Sequence, residues 1–169
     1  MDVKRSAQEI AAYVIERYEI ITNSNFGTSE LKLQKLMYLL QRQSLALTGE
    51  TLFNGVFEGW IHGPVLPELR YFLELPILKP VIQATEQEEY IIDNVIREYG
   101  KYSAWELREI THKESSWKNS RAGLLDSDYG FVAIKLEDII EDAKKVRLYD
   151  YEYDMYLDEF EDFDEEVCV

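Results

Sequence analysis

Three stretches of this chain carry the same four-residue punctuation: Ser6 with Glu9, Thr85 with Glu88, and Ser103 with Glu106. In such a box the Ser or Thr hydroxyl accepts from the backbone N–H three residues on. The Glu reaches back to the cap's own N–H, so two orphan donors are satisfied at once. Each cap contributes about 1 kcal/mol, and apolar residues follow each at helical spacing. They are Ile10, Tyr13, Val14, Tyr18 and Ile21 after the first box, and Ile92, Val95, Ile96 and Tyr99 after the second, which Gly100 stops. Leu107 and Ile110 follow the third. A fourth helix starts at Thr28 or Ser29, carries Leu33, Leu36, Met37, Leu40 and Leu47 on one stripe, and ends at Gly49. Lys32, Lys35 and Arg42 fall on its other faces. Pro67 opens a short helix, and Leu136 to about Arg147 reads as the last one, with Ile139, Ile140, Ala143 and Val146 inward.

Strand signals are few. Leu52–Phe53 and Val56–Ile61 flank Asn54-Gly55, a strong turn dipeptide, and predict a small hairpin. Residues Phe131 to Ile134 form a further candidate strand. The expected fold is mainly α: a compact single helical domain of about six helices with a small β-hairpin, over residues 1–148. An acidic aromatic tail is expected over 149–169.

The chain has 169 residues, enough to bury a core. No apolar run approaches the roughly 20 residues that span a bilayer, and the first residues have no signal-peptide core. A cytoplasmic protein without membrane contact is the expectation. The 18 Lys and Arg face 33 Asp and Glu, for a net charge of −15. Ten of those acids lie in the last twenty residues, which contain no Lys or Arg. Direct nucleic-acid binding needs clustered cations and is disfavoured; a basic protein partner fits the charge. The same tail interleaves Tyr149, Tyr151, Tyr153, Tyr156, Phe160 and Phe163 with its acids. Its opening period of two suits an edge strand. A solvated tail, or a segment that folds onto a partner or onto its own domain, suits the composition equally.

Two bends concentrate chemistry. In the segment from Glu58 to Leu69, Trp60 and His62 precede a sharp Gly63-Pro64 turn. Either His62 belongs to a site, or Trp60 anchors the core and His62 fixes the turn by a hydrogen bond. In the segment from Glu109 to Trp117, His112 with Glu109 or Glu114 has the parts of a general base. Alternatively its imidazole, partly positive, satisfies the end of the preceding helix, with Trp117 packed beneath. The remaining inventory is thin: one cysteine, Cys168, two histidines, and no Gly-rich phosphate loop. No cofactor, metal or catalytic residue is expected, and the chain does not read as an enzyme.

Three motifs carry a family resemblance. Leu31 to Tyr38, Glu58 to Leu69, and Leu107 to Trp117 with Thr111-His112-Lys113-Glu114 inside it resemble the signature segments of the SocA-like, or Panacea, antitoxin domain. They occur in family order and at family spacing, within a likeness running from about residue 6 to 147. Gly59 stands where that family usually has Ala, and His62 where an aromatic is common. The resemblance implies a protein, often phage- or mobile-element-associated, that neutralises a cognate toxin by direct contact, with a proteolytic adaptor role known in the family. Candidate partner-binding residues are then Trp60, His62, Pro64 and Val65 at one bend, and His112, Glu114 and Trp117 at the other. In the tail they are Tyr151, Tyr153, Asp154, Tyr156, Asp158, Glu159 and Phe160. The alternative is an inhibitor that blocks a restriction or RNA-guided nuclease, its acidic tail imitating a phosphate backbone.

Overall fold

All three capping boxes close. Ser6 Oγ accepts from Glu9 N at 3.1 Å while Glu9 Oε1 accepts from Ser6 N at 3.0 Å. The same reciprocal pair forms at Thr85–Glu88 and Ser103–Glu106. They open α1 (Ala7–Thr22), α3 (Glu86–Tyr99) and α4 (Ala104–His112). Ser29 caps α2 (Glu30–Thr48), which ends in left-handed Gly49. Two short helices, α5 (Ser115–Ser120) and α6 (Leu136–Ala143), complete the set with a 3₁₀ turn at Pro67–Leu69. This computed structural model describes residues 4–74 and 81–154. The tail residues Tyr156, Asp158, Glu159 and Phe160 named above lie outside the described residues. The fold is mainly α, as expected: seven helices among the described residues, counting the 3₁₀ turn, with one two-stranded antiparallel hairpin.

The domain is built around α2. Every residue from Leu33 to Leu45 is buried, because α3, α4, α6 and the hairpin all pack on this helix. The burial includes Gln34, Lys35, Gln41 and Arg42, which helical periodicity places off the apolar stripe. Leu47, by contrast, is partly open to solvent. The single-stripe reading is thereby corrected: a helix wrapped on all sides has no solvated face in its middle, so its polar residues must find partners inside. Ile10 and Val14 of α1 and Ile92 and Val95 of α3 join Leu33, Leu36 and Leu40 in one core with Phe53 and Phe57.

The hairpin is displaced from the expected place. It pairs β1 (Glu58–Trp60) with β2 (Gly63–Val65), in the register Glu58 to Val65 and Trp60 to Gly63. Its turn is Ile61-His62, and not Asn54-Gly55. The reason lies in α2: Gln41 Oε1 accepts from Leu52 N at 2.8 Å, and Gln41 Nε2 donates to the Phe53 carbonyl at 2.9 Å. Asn54 N is taken by the Arg5 carbonyl at 2.9 Å. These backbone groups have partners already, and Asn54 pairs only in an isolated parallel bridge with Ser6. The stretch from Phe131 runs along the outer edge of β1 through Gly59 N to Val132 O at 2.9 Å and Ile134 N to Phe57 O at 2.7 Å. It forms an isolated bridge there.

Two further boundaries differ. The last helix stops at Ala143, before the expected Arg147, and the chain tightens through Lys145 N to Asp142 O at 3.1 Å. Residues 151–154 are helical, so of the alternatives for this segment the edge strand over Tyr149 to Tyr153 does not form. Asp150 starts that turn: its side chain accepts from Tyr153 N at 2.9 Å and its carbonyl from Asp154 N at 2.8 Å. The turn leans on α3, where Tyr151 N donates to Asn94 Oδ1 at 3.0 Å and the Arg97 guanidinium lies 4.3 Å from the Tyr151 ring centre.

Candidate functional site

The polar side chains of α2 hold the two bends. Gln34 clamps the backbone of Leu66 from both sides, its Nε2 donating to the carbonyl at 3.0 Å and its Oε1 accepting from the amide at 2.8 Å. One residue on, Lys35 Nζ donates to the Pro64 carbonyl at 2.7 Å. Tyr38 turns the other way: its hydroxyl lies 2.7 Å from Ser116 Oγ and donates to Glu114 Oε2 at 3.1 Å. Arg42 Nη1 donates to Glu114 Oε1 at 2.6 Å, and its Nη2 donates to Tyr99 Oη at 2.9 Å. Asp142 of α6 joins this cluster by accepting from the first amides of α5, Ser115 N at 3.1 Å and Ser116 N at 2.8 Å. The three signature segments thus meet through α2.

The bends also hold each other. Trp117 is buried, and its Nε1 donates to the Trp60 carbonyl at 2.8 Å. Its ring stacks on His112 with centroids 4.0 Å apart, and the Arg121 guanidinium lies 5.2 Å from its centre. At the hairpin turn, Arg108 Nε donates to His62 Nδ1 at 3.0 Å. Gly63 has φ of +108°, and a Cβ there would stand 2.7 Å from Lys35 Cε and 2.9 Å from Thr111 Oγ1. Only glycine fits both that backbone and that space.

Gly59 has a local reason as well. A Cβ on it would meet Ser120 Oγ at 1.9 Å and Ser120 Cβ at 3.0 Å, while Ser120 Oγ is engaged with the Trp117 carbonyl at 2.6 Å. Gly59→Ala is therefore expected to destabilise by about 1–3 kcal/mol through overpacking. Adding Ser120→Gly should return most of that loss in a urea titration. A Gly59→Ala chain as stable as the parent would refute the account.

Burial sets the electrostatics. It pushes the Lys35 amine down to about 7, with Arg108 adding to the effect and Glu30 opposing it. It pushes the Glu114 carboxyl up, against the pull of Arg42. His112 is lowered to about 4 by burial and by Arg108. The imidazole at the end of α4 is thus neutral at pH 7, which corrects the expectation of a partly positive cap. Its Nε2 is buried without a hydrogen-bond partner among the described residues. Because the unfolded imidazole titrates near 6.5, acid protonates the unfolded chain first. The stability tied to neutral His112 is complete above pH 6.5 and is lost as the pH falls toward 4. A His112→Phe chain should lose that part of the acid dependence between pH 7 and 4, read as urea midpoints at each pH.

The expected site residues occupy different depths. Pro64, Val65 and Trp117 are buried, Glu114 and His112 are partly covered, Trp60 is half-buried, and His62 is exposed. Tyr151 and Tyr153 are exposed, whereas Asp154 is buried and pairs with Arg147. Around the turn the structure adds residues that the motifs do not single out. Trp105 of α4 is 56% exposed, with Arg108 4.2 Å from its ring centre and His62 beside it. Phe131, 60% exposed, meets Trp60 edge to face. The Arg70 guanidinium lies 5.1 Å from both the Trp60 and Tyr71 rings. One signal for this face was available: Trp105 sits inside the third box, between Ser103 and Glu106, off the Leu107–Ile110 stripe. Among the described residues no group of three His, Cys, Asp or Glu could hold a metal ion, and no helix is long and apolar enough to cross a membrane.

A helical frame whose inner polar groups fix two bends, and whose outer face gathers aromatics and arginines, has the build of an interaction domain. Residues 33–118, just over half of the chain, match the family described as antitoxin SocA-like, Panacea domain, and the protein belongs to that family. Membership implies an antitoxin-like regulator with a protein partner. No curated protein and no solved structure matches the chain.

Proposed function

We propose that this protein neutralises a cognate toxin by direct contact, through the aromatic–arginine face around the Ile61-His62 turn. The observation that supports this reading is the grouping of Trp105, Phe131, Trp60 and His62 with Arg70 and Arg108 on a bend braced from within. Trp, Tyr and Arg dominate binding hot spots, and exposed aromatics clustered on a rigid frame mark contact surfaces. Pro64, Val65, His112, Glu114 and Trp117 act in this reading from behind the face, by shaping it. The exposed Tyr151 and Tyr153, with the acidic residues after them, supply a second contact to a basic partner. The bound toxin is then either blocked or delivered to a protease.

The test is co-expression with the product of the adjacent gene, scoring growth and complex formation. Trp105→Ala with Phe131→Ala should abolish rescue while leaving the melting temperature nearly unchanged, since both side chains are mostly exposed. Full rescue by that double variant would sink the assignment of the face. A second reading, inhibition of a nucleic-acid enzyme by phosphate mimicry, rests on the ten acids of the last twenty residues. It requires a complex that a 1–148 truncation loses and that salt weakens steeply.

A further inference from the structure

A cavity of about 170 Å³ opens beside the hairpin turn. Leu31, Ile61 and Val65 give it apolar walls, and its charged lining is Lys35, Arg70 and Glu30. Nucleotides and drug-sized molecules occupy sites of about 300–1,000 Å³, so this one has room for a single side chain or a molecule of that size.

Lys35 is the unusual member. It is 0% exposed, and among the described residues its amine has one hydrogen bond, to the Pro64 carbonyl at 2.7 Å. An ammonium carries three N–H donors, so two are unused, and among the described residues no carboxylate pairs with it. Burying such a group unpaired is costly. Arg70 Nε repeats the pattern at the rim: it stands 3.3 Å from Glu30 Oε2, yet is buried without a hydrogen bond. The other groups that bear on Lys35 are Arg108 and His112 from α4, His62 from the turn, and Glu30 from its own helix. Both imidazoles are held toward the neutral form, so the charges around the amine are the Arg108 and Arg70 guanidiniums against the single Glu30 carboxylate.

We propose that this cavity is a binding site for a carboxylate on a short apolar stem, its stem against Leu31, Ile61 and Val65 and its oxygens on Lys35 Nζ and Arg70. A free organic acid and an acidic side chain presented by a protein partner share that chemistry. The site does not depend on the toxin-binding reading, and the two fail separately.

The experiment uses the full chain and two probes: 3-phenylpropanoate, and a tripeptide with one internal glutamate and both termini blocked. Calorimetry is run in HEPES and in Tris, whose ionisation enthalpies differ, at pH 8 and pH 6. With the amine held near 7 by burial, binding at pH 8 should draw in close to one proton, and binding at pH 6 almost none. Lys35→Met should weaken binding by on the order of tenfold or more, as the loss of a charge-assisted hydrogen bond would. Proton uptake by the unaltered chain needs no variant and stands even if Lys35→Met folds poorly. Binding of the tripeptide identifies the source as a partner's side chain, and binding of the free acid alone identifies it as a small molecule; both support the site. No binding by either probe, or a folded Lys35→Met chain of unchanged affinity, would overturn it. A Lys35→Met chain that still neutralises the toxin leaves the functional reading standing.

Discussion

Alanine at Trp117 is expected to lower the unfolding free energy by about 3–5 kcal/mol, the range for emptying a large aromatic from a core. The ring is 5% exposed and stacks on His112, and its Nε1 satisfies the Trp60 carbonyl. Truncation thus opens a cavity under both bends and leaves a carbonyl of β1 without its donor. Trp117→Phe keeps most of the packing and loses the hydrogen bond, so it should fall between parent and alanine. The measurement is a urea titration at pH 7, with the midpoint falling at unchanged slope. A loss below about 1 kcal/mol, the scale of an ordinary substitution, would mean that the bends are held without Trp117.

Glu114→Ala should match it by a different route. Arg42 is buried, and Glu114 Oε1 at 2.6 Å is its ion-pair partner among the described residues. Removing the acid strands a guanidinium inside the domain, and breaking a buried pair from one side costs about 3–5 kcal/mol. Tyr38 loses an acceptor in the same step. The diagnostic is the double variant Arg42→Met with Glu114→Leu, which removes both charges and should recover much of the loss. If the double variant is as unstable as the single, the damage comes from packing around Tyr38 and Ser116 and not from the stranded charge. The two predictions should not be added, because Glu114 and Trp117 flank the start of the same short helix.

Local signals in the sequence carried the helices well. The three boxes, Ser29 and Gly49 are decisions made within four residues of chain, and each appears where it was expected. The hairpin shows what local signals leave out. Asn54-Gly55 has the right dipeptide, but Gln41 reaches across from α2 and takes the neighbouring backbone groups first. That contact depends on tertiary packing, which no turn propensity contains. Lys35 and Arg42 show the same limit in another form: periodicity sorts residues by polarity, and polarity marks the solvent only when a helix has a solvated side. The motifs pointed to the two bends, and the bends do converge. Trp105, Arg70 and Phe131 come from three separate segments, so their meeting at the turn is a property of the fold alone.

The inward and outward side chains of the bends do separate jobs. Gln34, Lys35 and Tyr38 grip main-chain or buried polar atoms from within, while Trp105, Phe131 and Tyr71 stand outside. Replacing the outer set leaves every inner hydrogen bond in place. Point changes on the exterior can therefore accumulate in such a domain while the chassis beneath them stays as it is.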